Sequence, residues 1–187
     1  MWFGWWHNVL ASKYDSDILI LVNPDSLITQ KNTISRLIYI LNSSDHIWIV
    51  WPKLISKKYR NYFGDESFWD QWNVFPLYND FIRRLWISNS FHPSNTSHVN
   101  RVCGAFLLIK KDVFDILGWF DEWFFLYHED VDICLRANQI DKYVYYVPEV
   151  QVQHRWWFTI GRLHYFLHSR RYFIKKHLIK YYIDCIF

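Results

Sequence analysis

The sequence has few of the residues that interrupt regular structure, with only 5 Gly and 5 Pro among 187 residues. It also lacks any run near the roughly 18 apolar residues that a membrane-spanning helix needs. A net charge of +3 is too small to indicate a nucleic-acid partner by itself. The N-terminal residues lack the basic start, apolar stretch and small-residue cleavage site of a signal peptide, so a cytoplasmic location is expected. What the chain has in abundance is aromatic side chains, at 21%, a composition that excludes a disordered protein.

Cysteine is also scarce. Cys103, Cys134 and Cys185 are widely spaced and odd in number, which gives neither a paired zinc spacing nor a disulfide framework. Because free cysteine is among the residues most often buried, these three are predicted to be ordinary core thiols.

The first part of the chain alternates apolar runs with a helical pattern. Residues 17–23 (DILILVN) predict a buried strand that runs into a turn at Pro24–Asp25. Apolar residues at helical spacing predict a helix over 29–42, with Thr29 as its cap. Residues 46–55 predict a second strand, stopped or kinked by Pro52, and residues 56–98 carry no readable order.

The remaining chain continues the alternation. A third strand is predicted over 101–109, then a short helix over 111–117 closed by Gly118. An amphipathic helix over 129–139 is followed by either a strand pair or one bent strand over 142–154, around Pro148. Strands that alternate with helices indicate a layered α/β fold.

Carboxylates crowd into the aromatic stretch GWFDEWFFLYHEDVDICLR, residues 118–136. Glu129 and Asp130 open a predicted helix, where free N–H groups and the helix dipole favour acids. That structural interpretation leaves Asp121 and Glu122 in the preceding loop unexplained, and it leaves Asp25 at a strand end unexplained. Ligands of open α/β sheets bind beyond the carboxyl ends of the strands, so these acids are candidates for a binding site.

His154 ends the last predicted strand, and it can be interpreted either as a hydrogen-bonding residue or as a metal ligand. A lone histidine is more often a hydrogen-bonding residue than a metal ligand. With a carboxylate at another strand end, however, one oxygen ligand, one imidazole and diphosphate oxygens would suit Mn²⁺ or Mg²⁺.

Four segments, in this order over about residues 17–177, resemble the inverting glycosyltransferases of family 2, and most of all their rhamnosyltransferase-like branch. They are ILILVNPDS, VCGAFLLIKKDVFDILGWFDEWFFLYHEDVDICLRANQ, YVYYVPEVQVQH and SRRYFIKKH. The resemblance implies a partial GT-A fold, a three-layer α/β arrangement with a mainly parallel sheet. It also implies metal-dependent, inverting transfer from a nucleotide-diphosphate sugar to a saccharide or lipid-linked saccharide. The branch suggests dTDP-rhamnose as donor.

The resemblance also implies roles at the donor end of the site. Asp25 matches the last acid of the family's metal-binding turn, and His154 matches a late histidine that completes the metal shell of Mn²⁺ or Mg²⁺. Asn23 takes the place of the first acid and is expected to contact the nucleotide. Gly104 and Ala105 are expected to be small so that donor and backbone approach closely.

For the chemical step, the resemblance implies that Asp130 is the base that deprotonates the acceptor hydroxyl, with Glu129 as second choice. Apolar neighbours raise a carboxylate's pKa towards the working pH of a base. Phe124, Phe125 and Tyr127 are expected to supply those neighbours or to stack on a sugar face.

The expected organisation is a GT-A-like catalytic domain over 1–154, lacking its first nucleotide-binding strands, and a basic aromatic helical segment over 155–187. That segment holds seven Lys and Arg against one acid. One interpretation is a helix lying on an anionic membrane surface, which would place the protein peripherally at the inner face; the other is a closing helix that packs its aromatics on the core. The alternative function is a non-catalytic remnant that binds carbohydrate or a partner protein.

Overall fold

A computed structural model describes residues 3–55, 93–154 and 160–179. Its centre is a six-stranded sheet in the order β1-β5-β3-β6-β2, with β4 also paired to β6. The strands are β1 (Ile18–Val22), β2 (Ser26–Ile28), β3 (Ile47–Ile55), β4 (Ser97–Val99), β5 (Phe106–Lys110) and β6 (Tyr143–His154).

The α/β fold is confirmed, but the expectation of a mainly parallel sheet is wrong for the described strands. Only β3 and β6 pair in parallel, while β1–β5, β3–β5, β2–β6 and β4–β6 are antiparallel. The reason is that β5 lies between β1 and β3 and is antiparallel to both. β1, β3 and β6 therefore share one direction, although most hydrogen-bonded neighbours do not.

Five α-helices accompany the sheet in the described residues: α1 (Phe3–Lys13), α2 (Thr33–Leu41), α3 (Lys111–Ile116), α4 (Glu129–Asn138) and α5 (Leu163–Ile174). A 3₁₀ turn, Ile160–Arg162, precedes α5, and a π-helical turn, Lys175–Ile179, follows it. No helix in the described ranges combines the length and the apolar character that crossing a bilayer requires. The predicted helices at 111–117, closed by Gly118 at φ 70°, and at 129–139 are confirmed.

The predicted helix at 29–42 begins later than expected, and Thr29 does not cap it. Residues Ser26–Ile28 form β2 along the end of β6, so the chain must turn before a helix can start. That turn uses Asn32, which lies in the left-handed region at φ 63° and precedes the first helical residue. An apolar helical pattern cannot reveal this short strand.

The structure also changes the bounds of one predicted strand and decides the form of another. The run predicted at 101–109 forms a strand only from Phe106, because Gly104 and Ala105 make a turn. Residues 143–154 form one bent strand, since the register against β3 slips between Pro52 and Lys53, opposite Pro148. Residues 56–92, inside the region without readable order, lie outside the described residues.

The core continues on both faces of the sheet. Phe106, Leu107, Leu108 and Ile109 are consecutive and all buried. Because successive strand side chains point to opposite faces, both faces of β5 are covered, as a layered α/β fold requires. Cys134 belongs to this core, and burial raises the pKa of its thiol to about 12. Cys103 is only half-buried, and Cys185 lies outside the described residues.

Candidate active site

The structure brings together the two residues expected to hold a metal. Asp25 follows β1 and His154 is the last residue of β6, and these strands run in the same direction, so both side chains lie at one edge of the sheet. His154 Nε2 lies 3.1 Å from Asp25 Oδ1, and the side chains are 5% and 31% exposed. A half-open carboxylate next to a buried imidazole leaves one side of the pair accessible to a ligand.

The Gly104–Ala105 turn connects this pair to the candidate base. The carbonyl of Ala105 accepts hydrogen bonds from Asn23 N at 2.8 Å and from Ser26 Oγ at 3.0 Å. On the other side of the turn, Gly104 N donates to Asp130 Oδ2 at 2.7 Å. Asn23, Gly104, Ala105 and Asp130 therefore form one continuous hydrogen-bonded unit. Ser26 completes it, and sequence reasoning missed Ser26 because a serine in a turn carries no distinctive signal.

Gly104 must be small, although the neighbour that requires it is a carboxylate. A Cβ atom at position 104 would lie 3.2 Å from Asp130 Cβ, 3.4 Å from its Oδ2 and 3.6 Å from Phe3 Cζ. Any larger residue would push on the candidate base. Close approach of a donor sugar to Gly104, as expected from the sequence, stays a prediction.

Asp130 and Glu129 differ in how their charges are stabilised. Burial raises the pKa of Asp130, and hydrogen bonds from the N–H groups of Gly104 and Val131 partly offset that rise. Burial also raises the pKa of Glu129, well above its ordinary value, and the neighbouring charge of Asp130 adds to this effect. Among the described residues, no hydrogen-bond partner reaches Glu129 Oε2, and the side chain is buried. Of the two acids, Asp130 therefore has the better stabilised negative charge.

The backbone just before these acids is strained. Tyr127 and His128 both have φ 71°, in the left-handed region that large side chains rarely adopt. Each such residue costs on the order of 1–3 kcal/mol and persists only where its surroundings fix it. Here helix α5 supplies the surroundings: the ring of Tyr127 lies 6.0 Å from Phe166, and that of His128 lies 5.0 Å from Phe166 and 5.7 Å from Phe173.

Asp132 explains how a further acid is tolerated in the aromatic stretch. Its side chain is 0% exposed, and it accepts from Arg136 Nε at 2.8 Å and from His177 Nε2 at 2.7 Å. Lys176 Nζ lies 2.7 Å from its Oδ1. Burial alone would raise the pKa of Asp132, but the His177 hydrogen bond and the charges of Arg136 and Lys176 outweigh it and leave the pKa lowered. Arg136 also donates to the carbonyls of Leu117 and Trp119, so it neutralises an acid and ties α4 to the preceding loop.

The two acids of that loop also have partners. Asp121 Oδ2 accepts from Lys176 Nζ at 2.6 Å and from the Tyr172 hydroxyl at 2.9 Å. Glu122 Oε1 accepts from Asn8 Nδ2 at 2.9 Å, and the buried Asn8 also exchanges hydrogen bonds with the backbone of Phe120. These contacts fix the loop to α1 and to the C-terminal helical turns. That both acids belong to a binding site stays a prediction.

A divalent ion would find two protein ligands in the described residues. Residues 3–55, 93–154 and 160–179 contain no group of three or more His, Cys, Asp or Glu side chains arranged to hold a metal. The Asp25–His154 pair nevertheless offers one carboxylate oxygen and one imidazole nitrogen at 3.1 Å. Burial lowers the pKa of His154, against the opposing effect of Asp25, and so favours the neutral imidazole that metals bind. The pair offers the donor types that an ion such as Mn²⁺ binds.

Comparisons with known proteins show what the chain is similar to. The chain is 26% identical over 196 residues to the rhamnosyltransferase WbbL of Escherichia coli K12, an alignment covering 93% of this chain and 65% of that protein. It is 36% identical over 64 residues to the N-acetylglucosaminyl-diphospho-decaprenol L-rhamnosyltransferase of Mycobacterium tuberculosis, covering 34% of this chain and 21% of that protein. The chain thus spans under two thirds of the length of these relatives. No family model matches it.

A solved structure shows the fold. The crystal structure of GalNAc-T7 with UDP, GalNAc and Mn²⁺ superposes with a TM-score of 0.57 at 17% identity, over 80% of this chain and 29% of that chain. In sequence the chain resembles the rhamnosyltransferase-like branch of glycosyltransferase family 2, and the structural neighbour shows a partial GT-A fold.

Proposed function

We propose that the chain carries the donor turn and the catalytic base of an inverting glycosyltransferase that uses a nucleotide-diphosphate sugar. The observation that carries the proposal is the continuous unit at one sheet edge: Asp25 meets His154, and the Gly104–Ala105 turn joins the donor turn to Asp130. A base held at a fixed distance from the donor is what a single in-line displacement needs.

In this mechanism Asp130 accepts the proton of the acceptor hydroxyl. The hydroxyl oxygen forms a bond to the anomeric carbon, and the bond from that carbon to the diphosphate oxygen breaks, so the diphosphate leaves with the electron pair. The raised pKa of Asp130 suits a proton acceptor that works near neutral pH. Each of its oxygens accepts one backbone N–H, which leaves a lone pair for the acceptor hydroxyl.

Asp25 and His154 would hold a divalent metal ion, Mn²⁺ or Mg²⁺. The ion, when bound, would offset negative charge on the departing diphosphate. Asn23 lies in the same turn and is proposed to bind the nucleotide. GalNAc-T7, whose fold this chain shares, was crystallised with UDP and Mn²⁺, which supports the choice of ligand class.

We propose dTDP-rhamnose as the donor and a saccharide or lipid-linked saccharide as the acceptor. The relatives are rhamnosyltransferases, one of them an N-acetylglucosaminyl-diphospho-decaprenol L-rhamnosyltransferase, which supports rhamnose as the sugar and a lipid-linked saccharide as the acceptor. The test is thermal unfolding with dTDP-rhamnose, UDP-GlcNAc and a GDP-sugar, each with and without Mn²⁺, followed by transfer to N-acetylglucosaminyl-diphospho-polyprenol. A melting shift that needs both dTDP-rhamnose and Mn²⁺, with product formation, is expected.

The alternative is a non-catalytic module that binds carbohydrate. Trp123 favours it, because this indole is 74% exposed in the loop before α4 and stacks against Tyr172 at 6.2 Å. Exposed aromatic faces are common at binding surfaces. Saccharide binding that is independent of nucleotide and metal, without transfer, would favour this alternative over the enzyme.

We propose peripheral contact with the inner face of an anionic membrane through the outer side of α5. Leu163, Leu167 and Arg171 are exposed there, a basic and apolar combination suited to headgroups. The aromatic rings of α5 do not contribute to this side, since Tyr165 and Phe166 contact residues 125–128 instead. Intact protein is expected to float with anionic vesicles at low salt and to be released by salt, and Arg171→Glu is expected to weaken flotation. Equal flotation with neutral vesicles would contradict the proposal.

A further inference from the structure

Helix α5 and the π-helical turn after it contact both sides of the first turn of α4, which carries the candidate base. Before that turn, Ser169 Oγ donates a hydrogen bond to the carbonyl of Leu126 at 2.8 Å, and Ser169 is fully buried. Within that turn, Lys176 Nζ lies 2.7 Å from Asp132 Oδ1, and in the loop before it the same Nζ lies 2.6 Å from Asp121 Oδ2. One short segment therefore fixes the chain on both flanks of Glu129 and Asp130.

We propose that Lys176 and Ser169 are positioning residues, which hold the strained backbone before α4 and the acids at its start so that Asp130 keeps its hydrogen bond with Gly104. The inference deepens the proposed function and rests on it where it concerns catalysis. Neither residue belongs to the set expected to touch donor or metal, and neither was singled out as a site residue from the sequence.

The strain gives Ser169 its role. Two consecutive residues at φ 71°, Tyr127 and His128, would relax if nothing fixed the chain around them. Ser169 holds the carbonyl of Leu126, immediately before the strained pair, and the rings of Phe166 and Phe173 hold the imidazole of His128. Relaxation of the pair would move Glu129 and Asp130, which follow directly.

The charges give Lys176 its role. Its ammonium group bridges one acid of the loop and one acid of α4, so the two segments keep a fixed spacing. Without it, Asp132 would keep Arg136 and His177, whereas Asp121 would keep the Tyr172 hydroxyl and the Trp123 N–H.

The same ammonium group bears on the titration of the acids. Glu129, Asp130 and Asp132 lie on one turn of α4, where the charge of Asp132 raises the pKa of Glu129. The charge of Arg101, in the segment before the Gly104 turn, lowers the pKa of Asp130. Removing the positive charge of Lys176 would take away one of the charges that lower the pKa of Asp132, and the negative charge next to Asp130 would be less compensated.

The test compares Lys176→Gln with Lys176→Arg and with Lys175→Gln. Lys175→Gln is the matched control, because it makes the same charge change on the adjacent, exposed residue. Ser169→Ala is a second, uncharged variant that removes the contact to Leu126, and it serves if Lys176→Gln fails to fold. The first measurement is amide hydrogen exchange at Gly104, whose N–H donates to Asp130.

Exchange at Gly104 is expected to accelerate at least about tenfold in Lys176→Gln and in Ser169→Ala, below the melting temperature of each variant. Lys176→Arg should restore protection, and Lys175→Gln should leave it unchanged. The second measurement is the pH profile of transfer to N-acetylglucosaminyl-diphospho-polyprenol. Its acidic limb should move to higher pH in Lys176→Gln alone.

A lower melting temperature with unchanged Gly104 exchange and an unchanged pH limb would overturn the proposal, since it would show ordinary stabilisation. If wild-type protein neither binds donor nor transfers sugar, the proposed function fails. Gly104 exchange still decides the positioning role in that case, because it requires no substrate.

Discussion

Replacing Asp132 by Asn should destabilise the protein strongly, because the carboxylate is the shared partner of two half-buried cationic side chains and one imidazole. Its oxygens meet Arg136 Nε at 2.8 Å, Lys176 Nζ at 2.7 Å and His177 Nε2 at 2.7 Å, with the side chain 0% exposed. Breaking a buried ion pair by removing one partner costs about 3–5 kcal/mol, because the remaining charge has no compensation. A domain has only about 5–15 kcal/mol of stability in total, so the loss should be a large part of it.

The assay is equilibrium unfolding in urea, with Asp115→Asn as the control. Asp115 pairs with Lys111 at the surface, four residues apart, and its side chain is 45% exposed. Exposed pairs contribute about 0–1 kcal/mol, so the control should change the free energy of unfolding little. If the two variants lose the same free energy of unfolding, the contacts of Asp132 do not stabilise the fold as argued.

The pH dependence supplies an independent check with a defined sign. The folded-state pKa of Asp132 is lowered, so its contribution to stability is present above the unfolded pKa, about 3.9, and is lost as pH falls through the folded value. The stability difference between wild type and Asp132→Asn should therefore be full near neutral pH and shrink below about pH 4. A difference that grows on acidification would refute this assignment of charge.

Three further substitutions test the division of roles at the sheet edge. Asp130→Asn should lower transfer by about 10²–10⁴-fold while the dTDP-rhamnose melting shift persists, because it removes the base and little else. Asp25→Ala should abolish the Mn²⁺ dependence of that melting shift. The control Asp45→Ala, at the opposite edge of the sheet, should keep the Mn²⁺ dependence. Equal loss of donor binding in the Asp25 and Asp130 variants would contradict this division of roles. Gly104→Ala should cost about 1–3 kcal/mol in urea unfolding, because its Cβ presses on Asp130, and transfer should fall about tenfold; wild-type activity in this variant would show that Asp130 tolerates displacement.

The sequence alone located the segments that meet in the candidate site. Asp25 and His154 each end an apolar strand pattern, and the geometry joins them at 3.1 Å as expected. The helix that begins at Glu129 and the turn at Gly118 also follow from local signals, namely helical spacing and the left-handed backbone that glycine adopts without cost.

Local signals could not give strand direction or partner choice. β5 is an apolar run like β1 and β3, and only the tertiary arrangement inserts it between them in the opposite direction. β2 is too short to produce a pattern, and it exists because the end of β6 offers it hydrogen-bonding groups. A strand's own residues do not encode which backbone will pair with it.

The acids of residues 118–136 show the same limit in electrostatic terms. The sequence established that so many carboxylates in an aromatic run need compensation, since an unpaired buried charge is costly. It did not reveal the compensating groups, because those of Asp132 and Asp121 come in part from Lys176 and His177, more than forty residues away along the chain. Whether the C-terminal bases faced solvent or these acids depended on the packing of α5 against residues 124–128, and the tertiary structure decided it by burying aromatic rings there.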